Sequence, residues 1–191
     1  MTDDSTPWTL TYSILTPRVE AIQDTLDYAA VRYIDCMRRN SQDATSEEDS
    51  ESSPDDDIVL NCVDNDGTRV VLTGWLPIFT AVSRIAHTMP SNAIHAGIVH
   101  EAIEDVERMS LEEIEASLDN STWFSGAHFE ESTAADFYLR RILKESHKQE
   151  EFTLQEYPII AAYMDRNPTE ASSAFDAADA TSTTVSRCNI M

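Results

Sequence analysis

The sequence predicts an α/β domain followed by an all-α domain, and three observations predict it. A strand–helix–strand pattern opens the chain near Trp8. Two β-branched runs then flank an Asn-Asp-Gly turn and lead into an apolar helix. From Ser91 onward only helical spacing is found, with two capping boxes.

Residues 8–14 alternate Trp8, Leu10, Tyr12 and Ile14 against Thr9, Thr11 and Ser13, the period of a half-buried strand. Thr16-Pro17 follows, a capping hydroxyl and then a proline at the first helical position, where its missing N–H costs nothing. Val19, Ile22, Leu26 and Ala29 keep helical spacing to about Ala30, and residues 31–36 alternate again. Strand–helix–strand over so short a span implies a parallel pair.

Residues 40–57 interrupt this pattern with eight acids, no base and no large apolar side chain. Such a segment cannot offset its ordering entropy by burial and is expected to be a disordered acidic loop. Strand signals resume over 58–63, turn at Asn65-Asp66-Gly67 and return over 69–72, a β-hairpin. Residues 74–87 then read as a helix with Leu76, Phe79, Val82 (or Ser83) and Ala86 on one face.

Beyond a linker at 87–90, Ser91 or Asn92 caps a helix whose apolar stripe is Ile94, Ile98, Ala102, Val106 (or Asp105) and Met109. Ser110 and Glu113 form a capping box before Leu111, Ile114 and Leu118. Thr133 and Asp136 form another, opening a strongly apolar helix to about residue 146. The Thr133 hydroxyl is expected to accept from an otherwise unpaired amide, and Asp136 to reach back to the cap's own N–H. Helices over 155–166 and 168–178 follow, then a flexible tail over 179–191. The domains are thus residues 8–87 and 91–178.

The chain has 191 residues, enough for a substantial core, and no apolar run long enough to span a bilayer. Thirty-five acids against 13 bases leave a net charge of −22. A field of that sign repels phosphate backbones, which argues against direct nucleic-acid binding and for basic protein partners. Cys36, Cys62 and Cys188 form no metal-like pair, and the five histidines are scattered, so no metal site is expected. Few, widely spaced cysteines and an acidic N-terminus suit a reducing, cytoplasmic setting.

Trp123-Phe124-Ser125-Gly126, then Thr133-Ala134-Ala135-Asp136, then Tyr157-Pro158 with Ile160 and Tyr163, resemble the C-terminal helical domain of the glutathione S-transferase superfamily. The run 59–86 similarly resembles the last hairpin and helix of that superfamily's thioredoxin-like domain. The resemblance implies a glutathione S-transferase fold, with Gly126, Thr133 and Asp136 as structural residues. About 36 residues separate Pro90 from Gly126. That short span is similar to transferase-like domains of tRNA-synthetase complexes and elongation-factor subunits.

The resemblance also implies where glutathione would bind. Ser13-Ile14-Leu15-Thr16-Pro17-Arg18 matches the segment carrying the thiolate-stabilising hydroxyl, with Thr16 at the reactive position and Ser13 and Tyr12 as alternates. Thr16 reads equally well as an N-cap without chemistry. No proline lies between Pro54 and Pro77, so the proline that presents backbone groups to the ligand is absent. Gly74 and Trp75 stand where the family grips the γ-glutamyl carboxylate, and neither supplies a hydroxyl or carboxylate.

The expectation is therefore a non-catalytic interaction module without a cofactor, in a cytoplasmic assembly, with a translation-related one among the candidates. The resemblance implies contacts with other transferase-like domains or a dimer, and the acidic surface would steer basic partners. One alternative is a divergent glutathione-dependent transferase or reductase. Another is a membrane-peripheral adaptor, because Cys188-Asn189-Ile190-Met191 fits a prenylation motif. Ser46 and Ser50, ahead of acidic runs, are phosphorylation candidates.

Overall fold

A computed structural model of the chain describes residues 7–38, 57–63, 66–127 and 129–166. Most of the acidic loop 40–57, with Ser46 and Ser50, lies outside the described residues, as do the helix expected over 168–178, the tail and Cys188.

The chain opens with β1 (Trp8–Tyr12), α1 (Pro17–Tyr28) and β2 (Tyr33–Met37). β3 (Val59–Val63), β4 (Arg69–Thr73) and α2 (Trp75–Ile85) complete the first half. The strands form one sheet in the order β2-β1-β3-β4. β1 and β2 are parallel, while β1–β3 and β3–β4 are antiparallel. Leu10 lies opposite Leu60, and Leu60 opposite Leu72, so these leucines share one face. Leu10 and Leu60 are fully buried, as are Val19, Ile22 and Leu26 of α1 and Ile78, Phe79 and Val82 of α2. Each such side chain contributes about 1.5–3 kcal/mol by leaving water. Gly67, in the β3–β4 turn, has φ +80°, the left-handed backbone that the Asp-Gly pair predicts.

The second half comprises α3 (Ala93–Val106), α4 (Leu111–Asp119), α5 (Ala134–Lys148) and α6 (Pro158–Asp165). Asn92 caps α3, its side chain accepting from the amides of Ile94 and His95. Ser110 and Glu113 cap α4 reciprocally. The start of α6 is closed from outside: Pro158 brings no donor, and the Glu115 carboxylate of α4 accepts from the amides of Ile159 (2.9 Å) and Ile160 (2.8 Å). One hydrophobic cluster runs through both halves. α5 packs on α1, with Tyr28 and Phe137 edge to face at 5.2 Å and Arg141 paired to Asp24 and Glu20.

Two expectations are corrected. β1 ends at Tyr12 instead of running to residue 14, and Ile14 is 56% exposed. The chain leaves the sheet there to bring Thr16 to the head of α1. In α3 the buried stripe is Val99, Ile103 and Val106, and Ile94 is 76% exposed. Both stripes have helical spacing, so the sequence pattern could not separate them. Packing against α5 selects the second.

Candidate functional site

Asp136, the third residue of α5 and the capping-box partner of Thr133, is fully buried, and four donors converge on it. The amides of Phe124 and Thr133 each donate at 2.8 Å, the Thr133 hydroxyl at 3.0 Å and the Tyr163 hydroxyl at 2.8 Å. The Ser125 hydroxyl meets that of Thr133, and Gly126 completes the turn at φ +104°. Burial pushes the Asp136 carboxyl up, against the amides and hydroxyls that pull it down. Burial and the adjoining Asp136 also push the Tyr163 phenol well above its ordinary value. Arg140 is buried beside them, lying over the Tyr163 ring at 5.0 Å and donating to the Tyr163 carbonyl at 3.1 Å. The cluster ties the 123–126 turn, α5 and α6 together, with the Asp136 and Tyr163 side chains sealed from solvent.

An opening lies elsewhere, between the head of α1 and helices α3, α4 and α5. It is a cleft of about 500 Å³. Val106, Met109, Leu111, Ile114 and Ile142 supply most of its apolar wall, and Thr16, Arg18, Glu107, Tyr138, Ser146 and Glu151 its polar groups. Arg18 grips Glu107 with Nε at 2.8 Å and Nη2 at 2.6 Å to each carboxylate oxygen. The Tyr138 hydroxyl donates to the same carboxylate and accepts from Arg18 Nε at 3.3 Å. Burial alone would raise Glu107, but the donors on Arg18 and Tyr138 hold it below the ordinary glutamate range. Burial and the Glu107 contact together push the Tyr138 phenol up. Trp75 packs against both, its ring 5.4 Å from the Arg18 guanidinium and 4.6 Å from the Tyr138 ring.

No protein-family model and no curated protein sequence matches the chain. Solved structures do. A Caenorhabditis elegans glutathione S-transferase is 18% identical with a TM-score of 0.64, covering 90% of this chain and 97% of its own. A sigma-class glutathione S-transferase of Fasciola hepatica is 16% identical with a TM-score of 0.60, covering 92% and 98%. FzlA from C. crescentus is 12% identical with a TM-score of 0.64, covering 83% and 86%. The chain has the glutathione S-transferase fold.

Within the glutathione S-transferase fold the sequence-predicted residues scatter. Thr16 opens on the cleft, yet its hydroxyl caps α1 by accepting from the Val19 amide at 3.4 Å. Ser13 donates to Asp57 at 3.2 Å. Tyr12 is buried, donating to Asp35 at 3.2 Å and accepting from Gln23 at 3.5 Å. Gly74 has φ +82° at the head of α2, its amide donating to the Ile58 carbonyl at 2.9 Å. Trp75 joins the two halves through its tilted ring contact with Tyr138. Gly126, Thr133 and Asp136 do come together, as a structural knot.

Sequence reasoning missed Glu107 and Tyr138. Arg18 lies 89 residues from Glu107 and 120 from Tyr138, so no local spacing announces the trio. Among the described residues no group of three or more His, Cys, Asp or Glu is placed to hold a metal ion, and no helix is long and apolar enough to cross a membrane.

Proposed function

We propose that this chain is a non-catalytic protein of the glutathione S-transferase fold that serves as a protein-interaction module. The observation that carries this reading is Trp75. At the position where the resemblance puts a hydroxyl that grips ligand, the chain has an indole packed at a tilt against Tyr138, with the Arg18 guanidinium over its ring. The neighbouring hydroxyls of Thr16 and Ser13 already have internal partners. Support for an interaction role comes from one end of the sheet. Ile14 and Leu15 follow the end of β1, Met37 is the last residue of the paired strand β2, and all three are about half exposed. Apolar groups gathered on a chain of net charge −22 suit a basic partner with an apolar anchor.

A divergent glutathione-dependent transferase is the second reading, favoured by the opening of Thr16 on the cleft. Passage over immobilised glutathione, with an assay of thiol conjugation to an aryl halide, separates the two. Neither retention nor acceleration is expected. Conjugation that disappears in Thr16→Ala would establish the enzyme instead.

A further inference from the structure

We propose that the outer face of the sheet, turned away from α1 and α2, docks one amphipathic helix of a partner protein, a helix with carboxylates beside its apolar stripe. The strand registers define this face. Thr9 lies opposite Ile34 and Asn61, and Asn61 opposite Val71, so these four form one row across the sheet. Cys36, Thr11, Val59 and Thr73 form the next row. Leu10, Leu60 and Leu72 alternate with them and face the helices. None of the outer residues is buried, and Ile34 and Val71, on the two edge strands, are 49% and 60% exposed. The face therefore presents branched apolar side chains and threonine methyls, with one amide, that no described element covers.

Charge selects the occupant. Arg69 stands two residues before Val71 on β4, and Arg32, whose carbonyl accepts from the Trp8 amide, stands two before Ile34. β2 and β4 run in the same direction, so both arginines lie on this face at the same end of the sheet. Both are exposed, and neither has a carboxylate partner among the described residues. On a chain of net charge −22 they are a local exception, and screening over about 8 Å lets a docked segment feel them more than distant acids. Strands spaced about 4.8 Å apart place the two edge strands ~14 Å from each other. One helix, about 10–12 Å across, fits between Arg32 and Arg69, and a five-residue strand matches roughly 11 residues of its length. An extended segment laid on this face would leave its backbone groups unpaired over apolar side chains, whereas a helix satisfies its own. As a contact surface, the face rests on the interaction-module reading and names one partner element for it.

Fluorescence anisotropy on the full chain tests this with two labelled synthetic helices of about 14 residues. Both carry a leucine stripe, flanked by glutamates in one and by lysines in the other. Net charge alone favours the lysine peptide, whereas the sheet face favours the glutamate peptide, which is expected to bind at least tenfold more tightly. Arg32→Gln with Arg69→Gln is expected to remove that preference, and Val71→Asp to weaken the glutamate peptide at least tenfold. Circular dichroism checks each fold, and Ile34→Ser makes the same comparison if Val71→Asp unfolds. Preference for the lysine peptide, or affinity indifferent to both Val71→Asp and Ile34→Ser, overturns the proposal. Tighter peptide binding after deletion of residues 40–56 would assign the face to the chain's own acidic segment instead. Self-association in sedimentation that Val71→Asp abolishes would assign it to a second copy. Glutathione conjugation would end the interaction-module reading without moving these affinities, so the two fail separately.

Discussion

Arg18 on α1 and Glu107 at the end of α3 form a two-point ion pair that joins the halves of the molecule, with both carboxylate oxygens 2.6 Å from Nη2. The pair is only partly shielded, the side chains being 25% and 39% exposed, so solvent screening limits what it contributes. Arg18→Gln is expected to cost about 1 kcal/mol in urea unfolding. A double-mutant cycle with Glu107→Gln should show coupling of about 0.5–1 kcal/mol. Strict additivity would mean that the pair is incidental.

The same pair has a pH signature. The Glu107 carboxyl is held below its ordinary value, so the unfolded state takes up its proton first as pH falls. The stabilisation is present above the ordinary glutamate pKa and disappears as pH drops through the depressed one. The stability difference between the unaltered protein and Glu107→Gln should hence be flat from about pH 6 to 8 and shrink below about pH 4.5. A difference that grew on acidification would contradict the assignment.

Asp136 is the most consequential side chain for folding. Asp136→Ala leaves the Phe124 and Thr133 amides and the Tyr163 hydroxyl without their buried acceptor. A loss of about 3–5 kcal/mol is expected in equilibrium denaturation, since each buried donor left unpaired costs about 1–3 kcal/mol. Asp136→Asn keeps one acceptor oxygen and should lose less. A cost under about 1 kcal/mol for the alanine variant would show that water replaces the carboxylate.

Glu115 supplies from α4 the cap that α6 lacks in its own sequence. Glu115→Ala is expected to cost about 1–2 kcal/mol, as for loss of a helix cap, and to speed hydrogen exchange at Ile159 and Ile160 before elsewhere. Unchanged exchange at those two amides would argue that Tyr157 and its bond to Glu112 hold α6 in place.

Much of this fold was legible from residue to residue. Thr16-Pro17 marks the head of α1, the Ser110/Glu113 box marks α4, and the glycine turn between β3 and β4 places a hairpin, because each is a local hydrogen-bonding or dihedral requirement. The stripe of α3 was not legible. Its apolar residues cover more than one face, and only the position of α5 decides which of Ile94 and Val99 is buried.

By itself the sequence determined the order of elements, the helix starts, the acidic charge and the motif residues Gly126, Thr133 and Asp136, since these follow from spacing of two to four residues or from composition. Tertiary structure alone decided that Asp136 receives Tyr163 from another helix, that Trp75 bridges the halves, and that Arg18, Glu107 and Tyr138 meet at one end of a cleft. Those contacts join residues 27 to 120 positions apart, and no local pattern encodes a distance that only packing of the whole core establishes.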